Sequence, residues 1–118
     1  MTLVYQGSNP DPAALAQMSG TVLLEFGVDW CPHCQAAAAV IDAALAQRTS
    51  IRHLRVEDGR GRPLGRAYGV KLWPTLVLLR DGVEVGRLVR PVEAAAVTGL
   101  LANLDSGLDA KPDSRLNG

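Results

Sequence analysis

Val22-Leu23-Leu24-Glu25-Phe26, then Gly27-Val28-Asp29, then Trp30-Cys31-Pro32-His33-Cys34, form the most strongly patterned stretch of the chain. Its first part is almost wholly apolar, the pattern of a strand buried on both faces in a parallel sheet. Gly27-Val28-Asp29 makes a loop. The alanine-rich run that follows the cysteines, to about Arg48, is strongly helical. The cysteines, the only two in the chain, therefore sit where a strand turns into a helix. Two intervening residues let one thiol reach the other across a single helical turn. A thiolate on one sulfur can close a short disulfide with its neighbour.

Working outward, Leu3 to Gln6 reads as a short first strand. Asp11 serves as N-cap and Pro12 as first residue of a helix that ends near Gly20. Beyond the second helix, Ile51 to Val56 is a strand and residues 57–62 a loop, whose Gly59-Arg60-Gly61-Arg62 lacks the interleaved aromatics of an RNA-binding segment. Pro63 to Tyr68 forms a short helix closed by Gly69. Leu76 to Leu79 and Val83 to Val89 are strands joined by an Asp81-Gly82 hairpin turn. Pro91 opens a last helix that is apolar at Val92, Ala96, Leu100 and Leu104. The order βαβαβαββα predicts an α/β fold, a central mixed five-stranded sheet with helices on both faces. Residues 1–105 form one domain and 106–118 a flexible C-terminal tail.

The length, 118 residues, suits one domain, and 47% hydrophobic residues supply a core. Twelve basic residues balance twelve acidic ones, so nothing points to nucleic acid or a membrane surface as partner. No apolar run approaches the roughly 18 residues of a membrane-spanning helix. The start has neither a basic segment nor a long apolar one, which favours a cytoplasmic protein. Two cysteines in that compartment point to catalysis or metal binding rather than a structural staple.

Four features in order resemble the thioredoxin family, over about residues 3–105. They are Glu25-Phe26 followed by Trp30-Cys31-Pro32-His33-Cys34, then Tyr68-Gly69-Val70, then Trp73-Pro74-Thr75, then Asp81-Gly82. A lone C-x-x-C is a weak signal. With a preceding Trp, and a Pro-Thr about 40 residues later entering a strand, it is strong. The inner pair Pro32-His33 differs from the Gly-Pro usual in thioredoxins. It is similar to the pair in oxidising relatives of the DsbA type, whose inserted helical domain this chain has no room for.

The resemblance implies a thiol–disulfide oxidoreductase with no cofactor beyond its own cysteine pair. Its partners would be protein disulfide or dithiol substrates and a recycling thiol reductase or oxidase, and it would act as a monomer. Cys31, at the helix N-cap, would be the nucleophile, its thiolate favoured by the helix N-terminus and by His33. Pro32 costs no hydrogen bond at the first helical position. Both inner residues would make the site relatively oxidising. Cys34, one turn inward, would resolve the mixed disulfide. Glu25 would be the buried acid behind Cys34, its pKa raised by desolvation, taking the Cys34 proton through water. His53 stands where the family often has a lysine partnering that acid. Trp73-Pro74 would be the family's cis-proline loop, pairing with substrate as an added strand and keeping metals off the cysteines. Trp30, Trp73, Thr75 and Arg90 would line the substrate groove. Arg90-Pro91 replaces a glycine there, either narrowing the groove or simply solvated, and Ala39 replaces a helix-kinking proline.

Two other classes compete. A metal module would need Cys31, Cys34 and a histidine on one side, and His33 turns there poorly; zinc wants four ligands, or three and water. A thioredoxin-fold binding or chaperone module without turnover would have little use for both cysteines.

Overall fold

The computed structural model describes residues 5–7 and 9–106. Asp11 caps α1 (Pro12–Ala16), its carboxylate accepting the Ala13 N–H at 3.0 Å. β1 (Thr21–Gly27) leads into α2 (Pro32–Leu45) and β2 (Arg52–Glu57). A short α3 (Leu64–Ala67) precedes β3 (Thr75–Arg80) and β4 (Val83–Val89). α4 (Ala94–Leu101) and α5 (Asn103–Ser106) close the described chain.

The strands lie in the order β2-β1-β3-β4, with β1 parallel to β2 and the other pairs antiparallel. β1 is therefore internal, which explains why it carries apolar side chains on both faces. On one face Leu23, Leu76 and Leu78 meet Ile41 of α2 and Val97 and Leu101 of α4. On the other, Val22, Leu24, Phe26, Val77 and Leu79 meet Leu15 of α1 and Leu64 of α3. Each large aliphatic side chain so buried contributes about 1.5–3 kcal/mol against exposure. The β3–β4 turn has left-handed φ at both Asp81 (49°) and Gly82 (84°), the pairing an Asp-Gly hairpin requires. Gly82 is needed for a second reason: a Cβ there would lie 2.6 Å from the Ala16 carbonyl carbon. Asp81 also exchanges bonds with Gly20, one through its carboxylate and one through its backbone N–H, both 2.8 Å. The hairpin tip is thus fastened to α1 and to the start of β1.

Several expectations need correction. The sheet has four strands among the described residues, not five. Of the first strand proposed at Leu3–Gln6, residues 3 and 4 lie outside the described residues. Gln6 makes one parallel bridge to Val56, through Gln6 N–H to Arg55 O and Glu57 N–H to Gln6 O, both 2.9 Å. This bridge adds to the edge of β2. The last helix begins at Ala94, after Glu93, rather than at Pro91. Arg90 adopts a left-handed φ of 52°, so the chain turns there before it can coil. α2 ends at Leu45, short of Arg48. The Gly59–Arg62 segment is a turn closed by the Arg62 N–H to Gly59 O bond of 3.0 Å. The tail at 107–118 lies outside the described residues.

Candidate active site

The site forms at the carboxyl end of β1, where α2 starts. Cys31 is the N-cap of α2, with extended backbone, and Pro32 takes the first position, where its missing N–H costs nothing. Pro32 and His33 face outward and are exposed. Both cysteines are free thiols. Cys31 keeps 6% of its surface and Cys34 none, so Cys31 is the one a large reactant reaches first. Val28, Tyr5 and Trp73 pack around the pair. Burial pushes the Cys34 thiol up to about 11, and contact with Cys31 adds to this. A backbone bond at Val28 and the Tyr5 hydroxyl pull the other way.

Glu25 points to the α2 side of β1 and has no exposed surface. Tyr5 Oη donates to its Oε2 at 2.6 Å. His53 Nε2 lies 2.7 Å from Oε1, and Arg55 Nε donates to the same oxygen at 3.0 Å. Arg55 is directly across from Glu25 in the β1–β2 register and also reaches Asp42 of α2 at 3.3 Å. The expectation of a raised Glu25 pKa is overturned. Burial does push it up, but the His53 and Tyr5 hydrogen bonds and the Arg55 and His53 charges outweigh burial and hold it below its ordinary value. Glu25 is a buried carboxylate with partners, and the His53 contact expected from the sequence is present.

The Trp73–Pro74 peptide is cis. The Trp73 ring lies edge-on to Trp30, centroids 5.8 Å apart at 79°. Its indole N–H donates to Asp58 at 2.8 Å. Trp30 is 68% exposed, so the pair has a wet outer member and a packed inner one. Arg90 is not a freely solvated side chain: its Nε donates to Trp73 O at 2.7 Å, and its backbone N–H donates to Pro74 O at 2.9 Å. Thr75 is buried and turned inward, donating to Leu72 O at 2.6 Å, so it braces the loop from behind. The exposed Leu72 takes the outward place. No group of three or more His, Cys, Asp or Glu among the described residues is arranged to hold a metal ion.

Three residues of the site escaped the sequence reading. Arg55 follows from pairing β1 with β2 in register, since it falls opposite Glu25. Asp58 and Tyr5 carry no local signal, because only the folded chain brings them to Trp73 and to Cys34. Tyr5 packs against Cys34 while its hydroxyl donates to Glu25. Gly27 leaves room for this meeting: a Cβ there would lie 2.5 Å from Cys34 Sγ and 2.9 Å from Tyr5 Oη.

A reduced cysteine pair at a helix start, backed by a buried carboxylate, suits exchange between a dithiol and a disulfide. The thioredoxin family model matches residues 8–103. The thioredoxin of Chlamydia trachomatis is 39% identical over 72 residues, 60% of this chain and 70% of that protein. Chicken protein disulfide-isomerase A3 is 34% identical over 90 residues, 75% of this chain and 18% of that longer protein. Reduced thioredoxin 2 of Pseudomonas aeruginosa superposes with a TM-score of 0.80 at 44% identity, covering 90% of this chain and 98% of that one. The protein is a thiol–disulfide oxidoreductase, whose redox group is its own cysteine pair. The chain belongs to the thioredoxin family.

Proposed function

We propose that the protein reduces disulfides in other proteins, with Cys31 as nucleophile and Cys34 as resolving thiol. The observation that carries this is the difference between the two cysteines: Cys31 caps α2 and keeps a sliver of exposed surface, while Cys34 keeps none. Cys31 stands at the start of α2, where the free backbone N–H groups face it. Cys31 attacks the substrate disulfide and holds one half of it covalently. Cys34 then attacks Cys31 and frees the substrate. Trp30, Trp73, Leu72 and Arg90 form the rim on which the substrate chain lies, beside Pro74. A reductase returns the Cys31–Cys34 disulfide to the dithiol, in the cytoplasm, and the protein acts as a monomer.

Pro32 and His33 set the balance. The likeness of this pair to that of the oxidising relatives supports a couple more oxidising than a Gly-Pro site. Insulin reduction by wild type, and its loss in Cys31→Ser, tests the chemistry. Equilibration with glutathione tests the balance: a potential clearly above the roughly −270 mV of thioredoxin is expected, and one at or below it overturns that part of the reading.

A further inference from the structure

We propose that Tyr5 is a proton relay between Cys34 and Glu25. The inference rests on the resolving role given to Cys34 above. Sealed from solvent, the Cys34 thiol must lose its proton before it can attack, because the thiolate is the nucleophile. Glu25 is the buried carboxylate behind it. One phenol lies against both: Tyr5 Oη donates to Glu25 Oε2 at 2.6 Å, and the Tyr5 ring packs on Cys34, with Sγ and Oη on the same side of Gly27. The lack of a Cβ at Gly27 keeps the space in which sulfur and phenol meet. A hydroxyl both gives and takes a hydrogen bond, and is suited to passing a proton between such neighbours.

In the mixed disulfide, Cys31 Sγ is bonded to a substrate sulfur. The Cys34 proton moves to Tyr5 Oη as the Tyr5 proton moves to Glu25 Oε2. The Cys34 thiolate attacks Cys31 Sγ, and the Cys31–Cys34 bond forms. The Cys31–substrate bond breaks, and the substrate sulfur leaves with the electron pair and takes a proton from water. The two electrons come from the cysteine pair, which is oxidised as the substrate disulfide is reduced. Glu25 then returns its proton to solvent. Burial and the Glu25 charge make a free tyrosinate unfavourable, so Tyr5 releases a proton only as it receives one. Glu25, held ionised, is protonated only briefly, and the forming disulfide consumes the thiolate as it appears.

The titratable and charged groups around Tyr5 come from each packed element. They are Cys31 at the N-cap of α2, Cys34 of α2, Glu25 of β1, and His53 and Arg55 of β2, with Asp42 of α2 behind Arg55. Asp58 is turned away, toward Trp73.

Stopped-flow reaction of the reduced protein with 5,5′-dithiobis(2-nitrobenzoate) separates the two steps, since each releases one thionitrobenzoate. Tyr5→Phe is expected to slow the second release about 100-fold at pH 7. It should also make that release rise nearly tenfold per pH unit between pH 6 and 9, because hydroxide must then take the Cys34 proton. A residue that only packs would not create that slope. Gly27→Ala, which keeps the hydroxyl but forces Sγ and Oη apart, should slow the same release and carries the test if Tyr5→Phe does not fold. A second release within twofold of wild type, with an unchanged pH profile, in whichever of these variants folds, overturns the relay. Loss of insulin reduction in the wild type itself would instead remove the resolving chemistry on which the relay rests.

Discussion

Cys34 and Glu25 are neighbours in space with opposite tendencies: burial keeps the thiol protonated, while hydrogen bonds and charge keep the carboxyl ionised. For Cys34, whose pKa is pushed up to about 11, the folded state favours the protonated form. The stability this gives the reduced protein is complete below the roughly 8.5 of an unfolded cysteine and is lost as pH climbs toward the folded value. Brief iodoacetamide treatment of the native reduced protein at pH 7 should therefore label Cys31 and spare Cys34, as peptide mass spectrometry would read; equal labelling would contradict the assignment. For Glu25 the sign reverses. Its folded pKa is depressed, so its contribution is complete above the roughly 4.3 of an unfolded glutamate and is lost as pH falls through the lower folded value. Glu25→Gln strips the counter-charge from Arg55 and should cost about 3 kcal/mol at pH 7. Urea melts should show this gap holding to about pH 5 and narrowing below about pH 4. The sequence made Glu25 visible as a misfit among apolar neighbours, but not its protonation state. Its partners arrive from β2 across the sheet and from Tyr5 twenty residues earlier in the chain, and a strand read alone displays neither.

At the scale of elements, the junction of β1 and α2 was legible because three independent signals agree there: an unbroken apolar strand, a Pro at the first helical position and a long alanine-rich run. The edge of the sheet was less so. Gln6 has strand-like backbone bonds on β2, yet a few apolar residues do not reveal which strand they will pair with. The turn after β4 was legible only as a departure, Arg90 where a glycine is common. Its physical content is that Arg90 takes a left-handed backbone and caps the Trp73 carbonyl. A substrate chain that pairs along this loop must displace the guanidinium to use that carbonyl. Arg90→Gly removes the competitor and relieves a left-handed φ that costs a non-glycine residue about 1 kcal/mol. Steady-state insulin reduction should show KM falling about threefold, a shift of well under 1 kcal/mol, with kcat little changed; a rise in KM would mean that Arg90 instead holds the substrate.

For the molecule as a whole, the mixed sheet flanked by helices and the position of the cysteines were readable from strand and helix periodicity, while the strand count was not. What could not be read was which distant side chains the topology gathers at the carboxyl end of β1. The sheet order places β2 beside β1, and the loop before β3 then passes over the cysteines, so residues 5, 53, 55 and 73 converge on one spot. Both tryptophans of the chain belong to that convergence. All indole emission therefore originates within reach of the sulfurs, and the molecule carries its own optical gauge of its redox state. Closing the dithiol should change the emission intensity in the native protein and leave the urea-unfolded spectrum nearly unaltered. Trp73→Phe should abolish most of the response and Trp30→Phe much less, since the packed indole is the one against the thiols.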